Sequence, residues 1–461
     1  MKKYIIIILF FLSFNIHPAD NELTRKIENI LSAVPRSTKY GLMIYNPNTK
    51  DTLYQKNIFE VIKPASNVKL FTTGAGFSLL GPDYQLSTKL LTDDQDLTDG
   101  IVNGNLYLKG FGNSLFTDQD IDSIVLKLKL LGIREVTGAV LGDDSYFDSV
   151  YYRRDWIVDE MSSVSLAPVS AIVINRNRVT FNIQSAGRSR VSTHMYPSCE
   201  MIKLRSSVRA SGRRNSVRVS QIIKNDSYEF ILSGVVRKRG GLVTADIENP
   251  PLFAAYLLHD KLISAGMYVA HRPSTARTPE AHYEIDSRFV LFRNLAAIIN
   301  KKSDNFLAEC LFKTIGAVYS SSEGNAFYAT QAIMSFLKDN EIYCEGVDLV
   351  DGSGLSHYNF VTVCSIVELL NNIYFNQTIY ADYYNSLAIA GIDGTLRNRM
   401  SGTLAENNFH GKTGTLNGVI TLSGYIKSQT GEDLIVSMLF EYNAGYADKY
   451  RGIQDRILQL L

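Results

Sequence analysis

Apolar and polar positions change their spacing several times along the chain, and each change marks an element. Residues 4–14 are apolar almost without a break and follow Lys2 and Lys3. A stretch of that length matches the apolar region of a secretory signal and is too short to cross a bilayer. Residues 1–19 are therefore expected to be a signal peptide cut between Ala19 and Asp20, with an uncleaved N-terminal anchor as the alternative. No later stretch is long enough for a membrane span. Strand patterns at 40–45 and 51–54 flank Asn46-Pro47-Asn48-Thr49-Lys50 and predict a hairpin. A helical spacing runs from about 66 to 80 and stops at Gly81-Pro82. Strands follow at 86–92, 105–109 and 135–141, with a helix at 118–131 between the second and third. From 173 to 236 the pattern becomes short alternating strands rich in Ser, Asn and Arg. A helix is predicted at 252–265 and a connection back to another domain at 275–286. Helices at 288–300, 305–319 and 324–339 come next. Strands at 419–427 and 434–442 and a helix from Ala447 close the chain.

Composition narrows the class without naming a chemistry. Of 461 residues, 45% are hydrophobic and 20% charged, which excludes long disorder, collagen and coiled coil. The length has room for about three domains. Lys and Arg number 47 against 46 Asp and Glu, so a dedicated nucleic-acid binder is not expected. The four cysteines form no C-x-x-C pair and their spacing fixes no connectivity. Cys310 and Cys364 lie in apolar helical patterns and read as small buried hydrophobes. No two histidines are spaced H-x-x-x-H, so neither a metal nor another cofactor is expected. Gly110-Phe111-Gly112 lacks the third glycine of a dinucleotide loop and reads as a turn.

Three short motifs carry the chemistry. Ser66-Asn67-Val68-Lys69 opens the first long helix, and residues three apart share a helix face, so the Lys69 amine reaches the Ser66 hydroxyl. Serine becomes a useful nucleophile when an adjacent base takes its proton. A second copy of the pattern, Ser335 to Lys338, sits deep in a predicted helix and reads as helix surface. Ser303-Asp304-Asn305 lies at a helix junction, where each of these residues is also a good N-cap. Lys412-Thr413-Gly414-Thr415 leads into the C-terminal strands.

In this order and these contexts the three motifs resemble the active-site set of penicillin-recognising serine enzymes. Pro64-Ala65-Ser66, the segments 351–356 and 391–396, and Glu248-Asn249-Pro250-Pro251-Leu252-Phe253 resemble one branch. That branch is the class C low-molecular-mass penicillin-binding proteins, a D-alanyl-D-alanine carboxypeptidase/endopeptidase family. The likeness covers the mature chain and is thin between about 187 and 235. Ser66 and Ser303 lie 237 positions apart, a gap that resembles the extra domains this branch inserts between its first two motifs. The implied fold is α/β (α+β), a penicilloyl-serine-transferase fold with an antiparallel sheet flanked by helices and two nested inserted domains. The expected division is 20–88 with 275–461 for the catalytic domain, 89–172 with 241–274 for the first insert, and 173–240 for the second.

The resemblance implies that Ser66 attacks the penultimate D-alanine carbonyl of a peptidoglycan stem peptide and forms an acyl-enzyme. Lys69 would be the base. A free lysine, with pKa near ~10.4, is mostly protonated at neutral pH, and making it a base disfavours its charge by about 4 kcal/mol. A dry pocket and the neighbouring Lys412 cation would supply that. Ser303 would relay a proton and Asn305 would hold Lys69 and the substrate amide. Lys412, Thr413 and Thr415 would bind the terminal carboxylate, with Gly414 leaving room for a substrate along the strand. The backbone N–H groups of Ser66 and Thr415 would form the oxyanion hole. Asp143 matches a position of the inserted domain that binds the free amine of a diamino acid. β-Lactams would acylate Ser66 and leave slowly. The alternatives are a β-lactamase of the same superfamily or a non-catalytic module that binds peptidoglycan or β-lactams.

The near-zero charge conceals two opposed regions. Residues 176–240 contain 14 Lys and Arg against 3 Asp and Glu, so the remainder is acidic. A solvated face is one reading. The other is docking of this basic segment to an anionic envelope surface, which would present the enzyme to the wall of a bacterial periplasm.

Overall fold

The computed structural model describes residues 20–156, 166–185, 191–211, 215–224, 227–237, 239–443 and 446–461. The signal segment expected at 1–19 lies outside the described residues. Among these residues no helix is long and apolar enough to cross a membrane, and no cluster of His, Cys, Asp or Glu could hold a metal ion.

Both chain ends build one antiparallel sheet of six strands. Its order is Ala388–Ile389, His410–Leu416, Val419–Lys427, Asp433–Glu441, Lys39–Tyr45 and Thr52–Lys56. The predicted N-terminal hairpin therefore pairs with the last strand, Lys39 opposite Glu441 and Tyr45 opposite Ile435. Strands buried on both faces need apolar residues at every position, and Val419–Lys427 and Asp433–Glu441 are buried almost throughout. One face packs on the helices Asp20–Leu31 and Ala447–Leu458, through Ile27, Leu31, Ile453 and Ile457. The other face packs on a helical layer built from Val68–Leu80, Phe292–Lys302, Asn305–Ser320, Ala326–Asp339 and Val363–Phe375. The helices Asp20–Leu31 and Tyr380–Ser386 had no counterpart among the sequence expectations.

A second body leaves this layer between Tyr84 and Phe292. Its mixed sheet runs Ser274–Thr275, Val140–Asp143, Leu106–Phe111, Gln85–Thr92 and Tyr283–Leu291. Here two expectations are corrected. Residues 283–291 were divided between a connection and a helix, but they form a strand antiparallel to Gln85–Thr92, Arg288 opposite Thr88. That pairing satisfies the backbone of an edge segment whose side chains are mostly half-exposed, so no helical apolar face is required. The helix starts four residues later, at Phe292. The continuous strand expected at 135–141 is two short strands, Glu135–Val136 and Val140–Asp143, with Gly138 at the break. The basic segment folds into small sheets of short strands. Its Phe181, Phe230, Leu232 and Val236 join the same apolar cluster as Leu90, Leu108 and Leu258 of the larger body.

Candidate active site

The motif residues meet where the helical layer touches the strand His410–Leu416. Ser66 sits in a 3-10 turn, Ala65–Asn67, that runs straight into the helix Val68–Leu80. Every residue from Val68 to Phe77 is buried, so this helix carries Lys69 into the interior while Ser66 stays half-exposed at its mouth. Ser303 ends the helix Phe292–Lys302 in a left-handed conformation, φ +55°, and Asp304 caps the next helix by accepting from the Leu307 N–H at 3.0 Å. The capping reading of this motif therefore falls on Asp304, which leaves the Ser303 and Asn305 side chains to the two lysines. The strand His410–Leu416 and its neighbour Val419–Lys427 dock on the serine turn: Asn67 Nδ2 donates to the Lys412 carbonyl at 3.1 Å, and Thr421 Oγ1 to that of Pro64 at 2.9 Å.

This arrangement brings together all five residues expected to act. Lys69 Nζ lies 3.1 Å from Ser66 Oγ, 2.6 Å from Asn305 Oδ1 and 2.5 Å from the Ser353 carbonyl. An ammonium has three donors, and these three acceptors use them all. Lys412 Nζ lies 2.9 Å from Ser303 Oγ and 2.8 Å from the Thr413 carbonyl. Both lysines are fully buried. Among the described residues no carboxylate is within ion-pair distance of either. Burial pulls Lys69 down to about 8, against the opposing pull of the Asp351, Glu309 and Asp304 charges. Lys412 falls well below the ordinary lysine value, through burial first and the Lys69 charge second. A half-exposed hydroxyl beside a buried amine of lowered basicity has the chemistry a nucleophile and its base require.

Two partners of the site were not assigned roles from sequence. Ser353 supplies a carbonyl to Lys69, and the turn that carries it is fixed by two buried acids. Asp351 accepts from the N–H groups of Gly354 and Ser356, both at 2.7 Å, and from Asn359 Nδ2 at 2.9 Å, while Glu309 accepts from the Gly352 N–H at 3.1 Å. Burial raises both acids, Glu309 to about 8 with the Asp351 charge adding to it. With three donors aimed at it, Asp351 is the member that carries the charge. Gly354 has φ +82°, and a Cβ there would lie 1.9 Å from the Ala65 carbonyl, so glycine lets the turn press on the serine turn. Thr395 is the second partner, accepting from Thr413 Oγ1 at 2.8 Å. The glycine-rich runs 351–356 and 391–396 were the available signals, visible only as family likeness.

The strand residues need one correction. Thr413 is half-exposed and Thr415 exposed, as a substrate-facing edge requires. Gly414 is buried, and a Cβ on it would meet Thr421 Oγ1 at 2.1 Å and the Pro64 carbonyl at 2.8 Å. Its small size serves the contact between strand and serine turn, in place of the expected room for substrate.

Asp143 is not brought into this cluster. Its side chain is 1% exposed and pairs with Lys109 Nζ at 3.0 Å. It also accepts from Thr278 N and Oγ1 at 2.7 and 2.6 Å and from the Ser145 N–H at 2.9 Å. Burial would raise its pKa, yet the hydrogen bonds from Ser145 and Thr278 hold it at about 2. The amine it holds in this structure is the protein's own, that of Lys109. His410 is a strand residue stacked on Tyr384, ring centroids 4.0 Å apart. All four cysteines are unpaired. Ser335, of the second Ser-x-x-Lys, donates to Asp339 at 3.0 Å on the surface of its helix.

Comparison with known proteins agrees with this geometry. A D-alanyl-D-alanine carboxypeptidase of Actinomadura sp. (strain R39) is 27% identical over 90% of this chain and 80% of its own length. The D-alanyl-D-alanine carboxypeptidase DacB of Haemophilus influenzae is 24% identical over 91% of this chain and 89% of its own. The crystal structure of penicillin binding protein 4 (dacB) from Haemophilus influenzae superposes with a TM-score of 0.79 at 22% identity, covering 94% of this chain and 98% of that one. It shares the penicillin-binding protein fold with inserted domains. The description of one family, D-Ala-D-Ala carboxypeptidase 3 (S13), matches residues 23–460. With nearly every described residue inside that match, the chain belongs to the D-Ala-D-Ala carboxypeptidase 3 (S13) family.

Proposed function

We propose that Ser66 is the nucleophile through which this serine-type D-Ala-D-Ala carboxypeptidase cleaves peptidoglycan stem peptides, as carboxypeptidase, endopeptidase or both. One observation carries the reading: Lys69 Nζ, fully buried and with no carboxylate in ion-pair distance among the described residues, lies 3.1 Å from Ser66 Oγ. Neutral Lys69 takes the serine proton as Oγ attacks the carbonyl of the penultimate D-alanine. The C–N bond breaks, the proton passes through Ser303 and Lys412 to the leaving amine, and D-alanine departs. Water then attacks the ester while Lys69 takes its proton and passes it to the departing Ser66 Oγ, which frees the shortened peptide and restores the serine hydroxyl and the neutral amine. Asn305 keeps Lys69 on Ser66, and Lys412 with Thr413 and Thr415 receives the terminal carboxylate.

β-Lactams enter the same path as substrate mimics. The Haemophilus influenzae protein, which superposes in its β-lactam complex with a TM-score of 0.75, is described with such a compound bound. The test is intact mass after exposure to benzylpenicillin. A stable adduct on the wild type that disappears in Ser66→Ala supports the reading, and no adduct on the wild type overturns it. Fast turnover of the drug would identify a β-lactamase instead.

Export by residues 1–19 to the periplasm belongs to the same proposal, as does docking of the basic segment. Lys203, Arg209, Arg218, Lys224 and Arg237 are exposed on its small sheets and Arg239 in a turn between strands, a distribution suited to an anionic envelope surface.

A further inference from the structure

The segment that leads into the basic insert contains three successive non-glycine residues in the left-handed region. Asn175, Arg176 and Asn177 have φ of +49°, +61° and +54°. Asparagine tolerates this conformation, whereas arginine occupies it only when the surroundings hold it there. Both asparagines are so held. Asn175 Nδ2 donates to Asp118 Oδ1 at 2.9 Å, and its Oδ1 accepts from the Asp118 N–H at 3.3 Å. Asn177 Nδ2 donates to the Pro168 carbonyl at 2.9 Å, and its Oδ1 accepts from the Ile174 N–H at 3.1 Å. Between these two anchors the Arg176 side chain is thrown away from its own body and onto the helical layer. Its Nη2 lies 2.8 Å from Asp304 Oδ1 and its guanidinium carbon 5.0 Å from the centre of the Phe306 ring.

Asp304 stands between Ser303 and Asn305, so this ion pair grips the middle of the second motif. Ser303 is itself left-handed, φ +55°, and the direction of its hydroxyl depends on how the link between the two helices is held. Asp304 Oδ1 serves both the helix cap and the arginine. The cap ties this oxygen to its own helix, and Arg176 ties the same oxygen to the inserted region.

Taking Ser66 as the nucleophile, as proposed above, we infer that Arg176 is a positioning residue for the acylation machinery. It acts through Asp304 on the placement of Ser303 and Asn305, and couples the base of the inserted region to the reacting centre. An electrostatic consequence separates this role from simple packing. The titratable groups around Lys69 are Lys412, Asp304, Glu309 and Asp351. Arg176 offsets the charge of Asp304, so its loss leaves that charge free to favour protonated Lys69.

The experiment measures benzylpenicillin acylation of the full chain against pH in the wild type, R176A, R176K, D304N and the R176A/D304N double variant. R176A should lower the acylation rate constant by about tenfold, the size of effect that slight misplacement of reacting groups produces. Drug binding before acylation should stay unchanged and the limb that rises with pH should move to higher pH. R176K should recover part of the rate, since it restores the charge without the planar fork. In the D304N background, where asparagine still caps the helix, removing Arg176 should cost little. A wild-type rate and pH limb in R176A, or an equal loss in both backgrounds, overturns the inference. Should R176A not fold, R176K and D304N carry the comparison, and wild-type rates in both overturn it. A wild type that takes up no penicillin overturns the nucleophile assignment instead, so the two failures are distinct.

Discussion

Lys109 on one side, and Lys69 with Lys412 on the other, are withdrawn from water in opposite ways. Lys109 meets a carboxylate at 3.0 Å, and that carboxylate accepts three further hydrogen bonds. Lys69 and Lys412 are more deeply buried and meet hydroxyls, an amide oxygen and carbonyls, with no carboxylate in direct contact among the described residues. The first arrangement stabilises a charge and leaves nothing to react. The second withholds a counter-charge, so that the proton is loosely held and can be passed on. A buried cation signals chemistry when its partners are neutral.

The comparison breaks most sharply at Ser66 and Lys69. Ser66→Ala should abolish the penicillin adduct, and Lys69→Met should slow acylation by roughly 10²–10⁴-fold, both read by intact mass over time. The denaturation midpoint should move far less than for the paired site. There, Asp143→Ala leaves Lys109 without its partner and should cost about 3 kcal/mol in a urea titration. Acylation and peptide hydrolysis by the folded fraction should stay near wild type for every peptide tested. A selective loss on peptides bearing a free side-chain amine would erase the contrast and place Asp143 with the substrate after all.

The two sites should also differ in their response to pH. Because the base must be neutral, acylation should rise with pH and level off as Lys69 deprotonates, near about 8. Asp143 is lowered from 3.8 to about 2, so its contribution to stability is fully present above 3.8 and is lost as pH falls through 2. In Asp143→Asn that part of the acid-unfolding curve should vanish, while the acylation limb stays in place. The smallest effect concerns the basic insert. Raising salt should release the protein from anionic vesicles or sacculi without slowing hydrolysis of a small peptide, and binding indifferent to salt would remove the docking proposal.

What could be read from sequence was local. Ser66 with Lys69 three positions on, Ser303 beside a capping residue, and Lys412 on a strand before a glycine each reflect spacing within one element. The hairpin, most helices and the two C-terminal strands also followed from periodicity. Tyr283–Leu291 escaped because a half-exposed edge strand has no apolar period to show, and its identity comes from the partner strand Gln85–Thr92. Asp143 was assigned by likeness, but its role depends on Lys109 and Thr278, which approach from other parts of the chain. Gly414 was read correctly as needing to be small and wrongly as to why.

The sequence by itself therefore determined which side chains could react and which elements carry them, because periodicity, capping and helix-face spacing act over a few residues. Only the tertiary structure decided what those side chains feel. Desolvation of Lys69 and Lys412, the Ser353 carbonyl aimed at the first of them and the Arg176 grip on Asp304 each sum contributions from segments over a hundred residues apart. Burial and electrostatic fields are properties of what surrounds a residue in space, and no short stretch of chain contains them.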